Sequence, residues 1–196
     1  MTGLMLDSVG MAYGPQMLFS EISAEIEPGE TLVVTGVNGS GKSTLLKIIA
    51  GLLRPESGSV RRAVGLGYAA PDVNVYAELT GCENLAFFAG LRSLPSDADR
   101  LLERVGLPRR RGRDLVGTYS SGMRQRLKLA VSLIGDPPLL IWDEPTLALD
   151  ATGGQCVEEI LERHRQHGGM AVIATNSGAE AERWGRGGVH LHLGRE

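Results

Sequence analysis

Between the β-branched apolar run Thr31-Leu32-Val33-Val34-Thr35 and the helix-like stretch Ser43 to Leu53 lies Gly36-Val37-Asn38-Gly39-Ser40-Gly41-Lys42-Ser43. The spacing fits G-x-x-x-x-G-K-[ST] in full, in the strand-loop-helix setting that gives the pattern its meaning. Glycines let the backbone curl until successive N–H groups face one anion, and the following helix aims its positive dipole end at the same place. Such a cradle suits a triphosphate: Lys42 reaches the β- and γ-phosphates as a point charge, and the Ser43 hydroxyl ligates Mg2+. The competing reading is a chance match in a surface loop. Later in the chain, Leu139-Leu140-Ile141-Trp142-Asp143-Glu144 ends a buried run in two carboxylates, which a strand terminus projects into the same crevice. Asp143 would hold Mg2+ directly or through water, and Glu144 would polarise an attacking water as general base. A solvated acidic strand end is the bland alternative, and the glycine-rich loop weighs against it.

Elements must carry these residues to one place. Short strands are predicted over Leu4 to Val9 and Ile22 to Glu27, separated by the turn-rich Tyr13-Gly14-Pro15 and followed by Pro28-Gly29. Gly81 to Leu91 and Asp97 to Val105 have helical spacing, so residues 72 to 120 read as a mostly helical insertion. A helix from Ser121 to about Ile134 is broken by Asp136-Pro137-Pro138, ahead of a buried strand over Leu139 to Trp142. Thr152 to His167 reads as a helix, Met170 to Thr175 as a strand and Ala179 to Trp184 as a short helix. This alternation predicts an α/β fold with a mainly parallel sheet and ligands at the carboxyl ends of its strands. A small antiparallel β piece precedes it.

The bulk properties restrict the function classes. A chain of 196 residues suits one domain, taken here as 1–196, with a real core. A net charge of -3 with 22% charged residues shows no basic excess, so nucleic acid is not the expected partner. Cys82 and Cys156 lack metal-ligand spacing and are expected as reduced thiols. No apolar run reaches the roughly 18 residues of a membrane span, and the N-terminus lacks the layout of a signal peptide. A membrane role would then come through a partner.

Tyr119-Ser120-Ser121-Gly122-Met123-Arg124-Gln125-Arg126 resembles the signature of ABC ATPases, usually L-S-G-G-Q followed closely by Q-R. The physics agrees, because Ser120 and the N–H groups of Ser121, Gly122 and Met123 would sit at a helix N-terminus suited to an anion. The likeness covers nearly the whole chain, since Glu144-Pro145-Thr146 with Leu149-Asp150 is similar to the family's Walker B extension and D-loop. The resemblance implies ATP and Mg2+ as ligands and a phosphate loop from Gly36 through Ser43 and Thr44. It also implies a head-to-tail dimer, of one chain or of two, in which the signature of one subunit caps the γ-phosphate held by the other. Asp150 would then lie at the subunit contact, and Tyr13 would stack on adenine; core packing or a turn role for Tyr13 is the alternative. A transmembrane subunit on a separate chain is implied, which would place this chain in the cytoplasm, peripheral on the cytoplasmic face of the membrane. The exporter-type ATPases, among them the haem-exporter subunit of cytochrome c assembly, are the most similar in layout.

Departures from the family pattern matter. The glutamine that follows the second sheet segment in relatives has no counterpart in Tyr68-Ala69-Ala70-Pro71-Asp72-Val73-Asn74, where Pro71 takes its place. Asp72 either approaches Mg2+ as the nearest polar substitute or opens a turn. The family histidine is replaced by Asn176 in Ala174-Thr175-Asn176, which keeps a donor near the reacting phosphate but cannot become a cation. Ser121 and Met123 depart from the signature consensus and read as a subtype mark. Arg109-Arg110-Arg111-Gly112-Arg113 is either a solvated basic loop or a contact with partner acids or lipid headgroups, and His164, His167, His190 and His192 form no convincing metal set. Trp142 is expected in the core.

Two rivals follow. One is an ABC ATPase of ribosomes or chromosomes, which usually brings paired domains or long coiled coils; the other is a regulatory subunit that binds ATP without turnover, which the missing glutamine and histidine keep alive. The phosphate-loop assignment itself is tested by Lys42→Ala, which removes one charge-assisted contact and should weaken Mg-ATP binding about 10- to 100-fold. Unchanged affinity by titration calorimetry in a folded mutant would remove the assignment.

Overall fold

In the computed structural model, which describes residues 3–62 and 65–194, the chain divides into two compact units. The first comprises Met1–Leu66, Pro138–Glu144 and His164–Glu196. The second comprises Gly67–Pro137 and Pro145–Arg163. The insertion expected over 72–120 falls inside the second unit, which extends beyond it.

The first unit opens with β1 (Leu4–Tyr13) and β2 (Gln16–Ile26), an antiparallel hairpin whose register runs from Leu4 opposite Ile26 to Tyr13 opposite Gln16. Both strands are longer than the sequence reading allowed. Register shifts along β1 interrupt its alternation, and that hid the residues beyond Val9. After β3 (Thr31–Gly36) and α1 (Lys42–Ala50), β4 (Ser57–Arg61) completes a three-stranded sheet ordered β2-β1-β4. Helix α1 stops three residues short of the expected Leu53. Gly51 takes a left-handed φ of 76°, and the N–H groups of Gly51 and Leu52 close onto the carbonyls of Ile48 and Lys47.

The rest of the unit is a run of parallel strands. β6 (Leu139–Asp143), β7 (Met170–Ala174), β3 and β8 (Val189–Leu193) lie side by side in that order, every neighbouring pair parallel. All five residues of β6 and of β7 are buried, which is why they read as continuous apolar runs, and Trp142 is fully inside as expected. Strand β8 was not anticipated: its Val-His-Leu-His-Leu alternates, but the two histidines masked the pattern. Helices α1 and α6 (Gly178–Trp184) pack on β3.

The second unit is mainly helical. β5 (Leu66–Ala69) leads into it, followed by α2 (Gly81–Leu91), α3 (Ala98–Arg104), α4 (Ser121–Ser132) and α5 (Ala151–Gln166), with 3-10 turns at Arg109–Arg113 and Val116–Thr118. Helix α2 starts on a capping box, with the Thr80 hydroxyl accepting from the Glu83 N–H and the Glu83 carboxylate accepting from the Thr80 N–H. Leu85, Leu102, Leu107, Leu127 and Leu129 form its core. The arginine run answers to the acids of its own unit, Arg109 reaching Glu103 at 2.6 Å and Arg111 reaching Asp114 at 2.9 Å. No helix among the described residues is long and apolar enough to cross a membrane.

One buried polar side chain pins the loop before α2. Asn84, fully inaccessible, accepts from the Tyr76 N–H at 2.8 Å and donates to the carbonyls of Tyr76 at 3.0 Å and Thr80 at 2.9 Å. Asn84→Leu keeps the branched shape but strands these backbone groups, so it should cost about 2 to 3 kcal/mol in urea unfolding. A loss below about 0.5 kcal/mol would show that the loop does not depend on this side chain.

Candidate functional site

Parallel pairing aligns three strand ends. Val34 of β3 stands opposite Ala174 of β7, and Ala174 stands opposite Asp143 of β6. The residues just past each end therefore emerge along one edge of the first unit: the glycine-rich loop after β3, Asn176 after β7 and Glu144 after β6. The alignment continues past the strands, with the Thr175 N–H donating to Val34 O at 3.1 Å and the Glu144 N–H donating to Ala174 O at 3.0 Å.

The loop has the shape that its glycines predict. Gly36 adopts φ 146°, and a Cβ there would stand 2.4 Å from the Leu193 carbonyl and 2.6 Å from the Ser40 hydroxyl. Only glycine lets the loop run this close to β8. Gly41 caps α1 in a left-handed conformation with no side-chain hydrogen bond, which leaves the first-turn N–H groups turned to the loop. Lys42 is nearly buried, and its ammonium donates to Gly36 O at 2.7 Å and Val37 O at 3.2 Å, inside the curl of the loop. The Ser40 hydroxyl is buried with no hydrogen-bond partner. Val37, Asn38 and Gly39 are exposed along the rim, while Ser43 and Thr44 form the first turn of α1. A buried ammonium and an orphaned hydroxyl within a glycine-formed curl fit a polyanion.

Asp143 ends β6 almost fully buried, and Glu144 follows it in the left-handed region at φ 48°. For a non-glycine residue that backbone costs about 1 to 3 kcal/mol, the kind of strain held where a side chain must point in one direction. Burial pushes the Glu144 carboxyl above its ordinary range, and the Asp143 and Glu180 charges add to this, while Lys42 and the Asn176 N–H pull the other way. A carboxylate raised in this manner is a better base. Were Mg2+ bound here, Asp143 and the Ser43 hydroxyl would offer the hard oxygen ligands it prefers.

Asn176 follows β7 and donates from its Nδ2 to the Asn38 Oδ1 at 3.0 Å. The turn that carries it is closed by side chains the sequence reading did not single out. The Thr175 hydroxyl donates to Glu180 at 2.6 Å and accepts from the Ser177 N–H at 3.0 Å, and Ser177 Oγ accepts from the Glu180 N–H at 3.3 Å. Ser177 and Glu180 stand three apart at a helix start, a spacing that signals such a cap. Tyr13 is 57% exposed at the end of the β1–β2 hairpin, so it is not a core residue.

The other sequence-derived candidates lie in the second unit. Ser120 caps α4, its Oγ accepting from the Met123 N–H at 3.2 Å, with Ser121 exposed and Gly122 next to it. A Cβ on Gly122 would stand 2.9 Å from Ala148 O, which accounts for glycine there. Gln125 Nε2 donates to Pro145 O at 3.0 Å, and Asp150 accepts from the Gly153 N–H at 2.8 Å and pairs with Arg126 at 3.2 Å. Asp72 sits in the turn closed by the Val73 N–H onto Ala70 O, and its charge faces Lys128, whose ammonium donates to Pro71 O at 2.8 Å. Three histidines have structural contacts: His164 with Met170 O at 3.0 Å, His190 with Gly185 O at 3.1 Å and His192 with Thr35 Oγ1 at 3.1 Å. Among the described residues no group of three or more His, Cys, Asp or Glu side chains could hold a metal ion.

Comparison with known proteins points to one family. The ABC transporter family matches residues 19–147. Over 184 residues the chain is 36% identical to the ABC transporter ATP-binding protein YdbJ of Bacillus subtilis, covering 87% of this chain but 59% of that protein. It is 38% identical over 183 residues to the cytochrome c biogenesis ATP-binding export protein CcmA of Methylococcus capsulatus, covering 83% of this chain and 86% of that protein. A dimeric ATP-binding cassette solved in a post-hydrolysis state with ADP and Pi superposes with a TM-score of 0.82 at 26% identity, covering 92% of this chain and 91% of that one. The strand-end geometry and these likenesses converge: the chain belongs to the ABC transporter family, as one of its ATP-binding, ATP-hydrolysing domains.

Proposed function

We propose that this chain hydrolyses Mg-ATP to drive a transmembrane subunit on a separate polypeptide, working as a head-to-tail dimer on the cytoplasmic face of the membrane. The whole chain, 1–196, acts as one ABC ATPase domain in this reading. The observation that carries it is the convergence of Glu144, Lys42 and Asn176 at the aligned ends of β6, β3 and β7. Lys42 and the N–H groups of the loop from Gly36 to Gly41, with Ser43 and Thr44, hold the phosphates. Ser43 and Asp143 would hold Mg2+, which when bound would supply positive charge to the phosphoryl oxygens. Glu144 takes the proton of the attacking water, and Asn176, whose backbone N–H lies on the Glu144 carboxyl, donates from its side chain to the reacting phosphate.

Tyr13, exposed at a hairpin end, offers its ring to adenine. Ser120, Ser121, Gly122 and Met123 cap the γ-phosphate bound by the other subunit. Asp72 takes the place of the family glutamine toward Mg2+; its turn and its Lys128 neighbour are the competing use of that side chain. The named function of the Methylococcus capsulatus relative, export in cytochrome c biogenesis, supports a haem-exporter subtype.

The test is Glu144→Gln, which keeps shape and loses basicity. ATP binding should persist, phosphate release should fall by at least about 100-fold, and light scattering should show a dimer that forms only with Mg-ATP. A mutant that stays monomeric at saturating nucleotide would count against the sandwich.

The same variant has a stability consequence. A carboxyl whose folded-state pKa lies above its unfolded value stabilises the fold while protonated, and that contribution is lost as pH rises through the folded pKa. Glu144→Gln should therefore melt above the wild type near about pH 8, with the gap closing toward about pH 4. A mutant that melts lower at both pH values would mean that the carboxylate is stabilised where it sits.

A further inference from the structure

We propose that Asn38, on the rim of the phosphate loop, is a positioning residue that orients the carboxamide of Asn176 toward the reacting phosphate. The inference rests on the placement of Glu144 and Asn176 in the hydrolytic step. Three features of the structure carry it.

The backbone at Asn176 is already fixed. Thr175, Ser177 and Glu180 close a ring of side-chain hydrogen bonds around it, the Thr175 N–H is tied to Val34 O, and the Asn176 N–H lies on the Glu144 carboxyl. What remains loose is the side chain. Asn176 is exposed, so its χ angles are not set by packing, and an unrestrained amide presents nitrogen and oxygen about equally. An amide oxygen turned toward a phosphate would repel it.

Asn38 supplies the missing restraint from a rigid base. Its loop is held by the close approach of Gly36 to β8 and by the Ser40 N–H, which donates to Val37 O at 3.1 Å across Asn38. The Asn38 Oδ1 accepts one of the two Nδ2 hydrogens of Asn176 at 3.0 Å. That choice keeps nitrogen on the loop side and leaves the second N–H to donate. An imidazole nitrogen carries at most one hydrogen, so it could not make both contacts from one atom; the amide can. Asn176 and Asn38 across the gap thus form one donor–acceptor arrangement.

The test is a double-mutant cycle on steady-state phosphate release by the full chain with Mg-ATP. Asn38→Ala keeps the loop N–H groups, so KM for ATP should hold while kcat falls about 2- to 12-fold, the worth of one hydrogen bond. In an Asn176→Ala background, Asn38→Ala should cost nothing further. Additive losses, or a raised KM in both backgrounds, would mean that Asn38 touches nucleotide itself and would overturn the proposal. Where Asn176→Ala turns over too slowly to measure, the side-chain amide resonance of Asn176 decides. Asn38→Ala should shift it while the backbone resonances of residues 175–180 stay in place, and an unmoved amide would overturn the proposal. Glu144→Gln separates the two levels. Wild-type turnover in that variant would overturn the site reading and this inference together, whereas an inactive Glu144→Gln beside an additive cycle would overturn the inference alone.

Discussion

The parallel register of β6, β7 and β3 is the constraint on which the first unit depends. In a parallel sheet every strand points its carboxyl end the same way, so whatever chain follows those ends is delivered to one edge. With Val34, Ala174 and Asp143 in line, the phosphate loop, Asn176 and Glu144 become neighbours although they lie far apart in sequence. A slip of one residue between β6 and β7 would move Glu144 along the strand axis by about 3 Å and turn Asp143 to the opposite face. Packing opposes such a slip, because the fully buried Trp142 and its neighbours would have to repack.

At that edge the electrostatics favour one base. The Glu144 carboxyl is destabilised as an anion by burial and by two neighbouring carboxyls, and Lys42 offsets part of the penalty. The left-handed backbone at Glu144 adds strain that the parallel ladder holds in place through the Glu144 N–H on Ala174 O. Stability is lost here in exchange for a side chain held in one direction. That exchange is common where geometry matters more than packing.

How much of this was legible in the sequence depended on how local the cause was. The phosphate loop could be read because its requirement, glycines at fixed offsets before a lysine, sits within eight residues; the two carboxylates could be read because a buried run stops at them. The Ser120 cap was visible for the same reason. Strand β8 was not, since its alternation carries histidines where an apolar or plainly polar residue would mark the faces. The contact between Asn38 and Asn176 spans 138 residues and exists only once the register is set. The turn at Asp72 shows the limit from the other side. The sequence offered a metal ligand or a turn, and Asp72 lies in a turn beside Lys128, a neighbour that no spacing rule would pair with it.

The asparagine at 176 also changes what the proposed mechanism asks of pH. An imidazole at that position would gain and lose charge near its usual pKa of about 6.5, so donor and base would titrate over neighbouring ranges. A carboxamide has no such transition. With Asn176 neutral throughout, Glu144 is the titrating member of the proposed pair, and burial moves its carboxyl upward. The cost is a weaker donor, because a hydrogen bond from a neutral amide has roughly half the strength of one from a cation. Fixing that donor in advance recovers part of the difference, since a preorganised dipole needs no reorganisation when charge develops on the phosphoryl oxygens. Orientation by Asn38 and a rigid Thr175-Ser177-Glu180 turn would supply that preorganisation, replacing charge with placement.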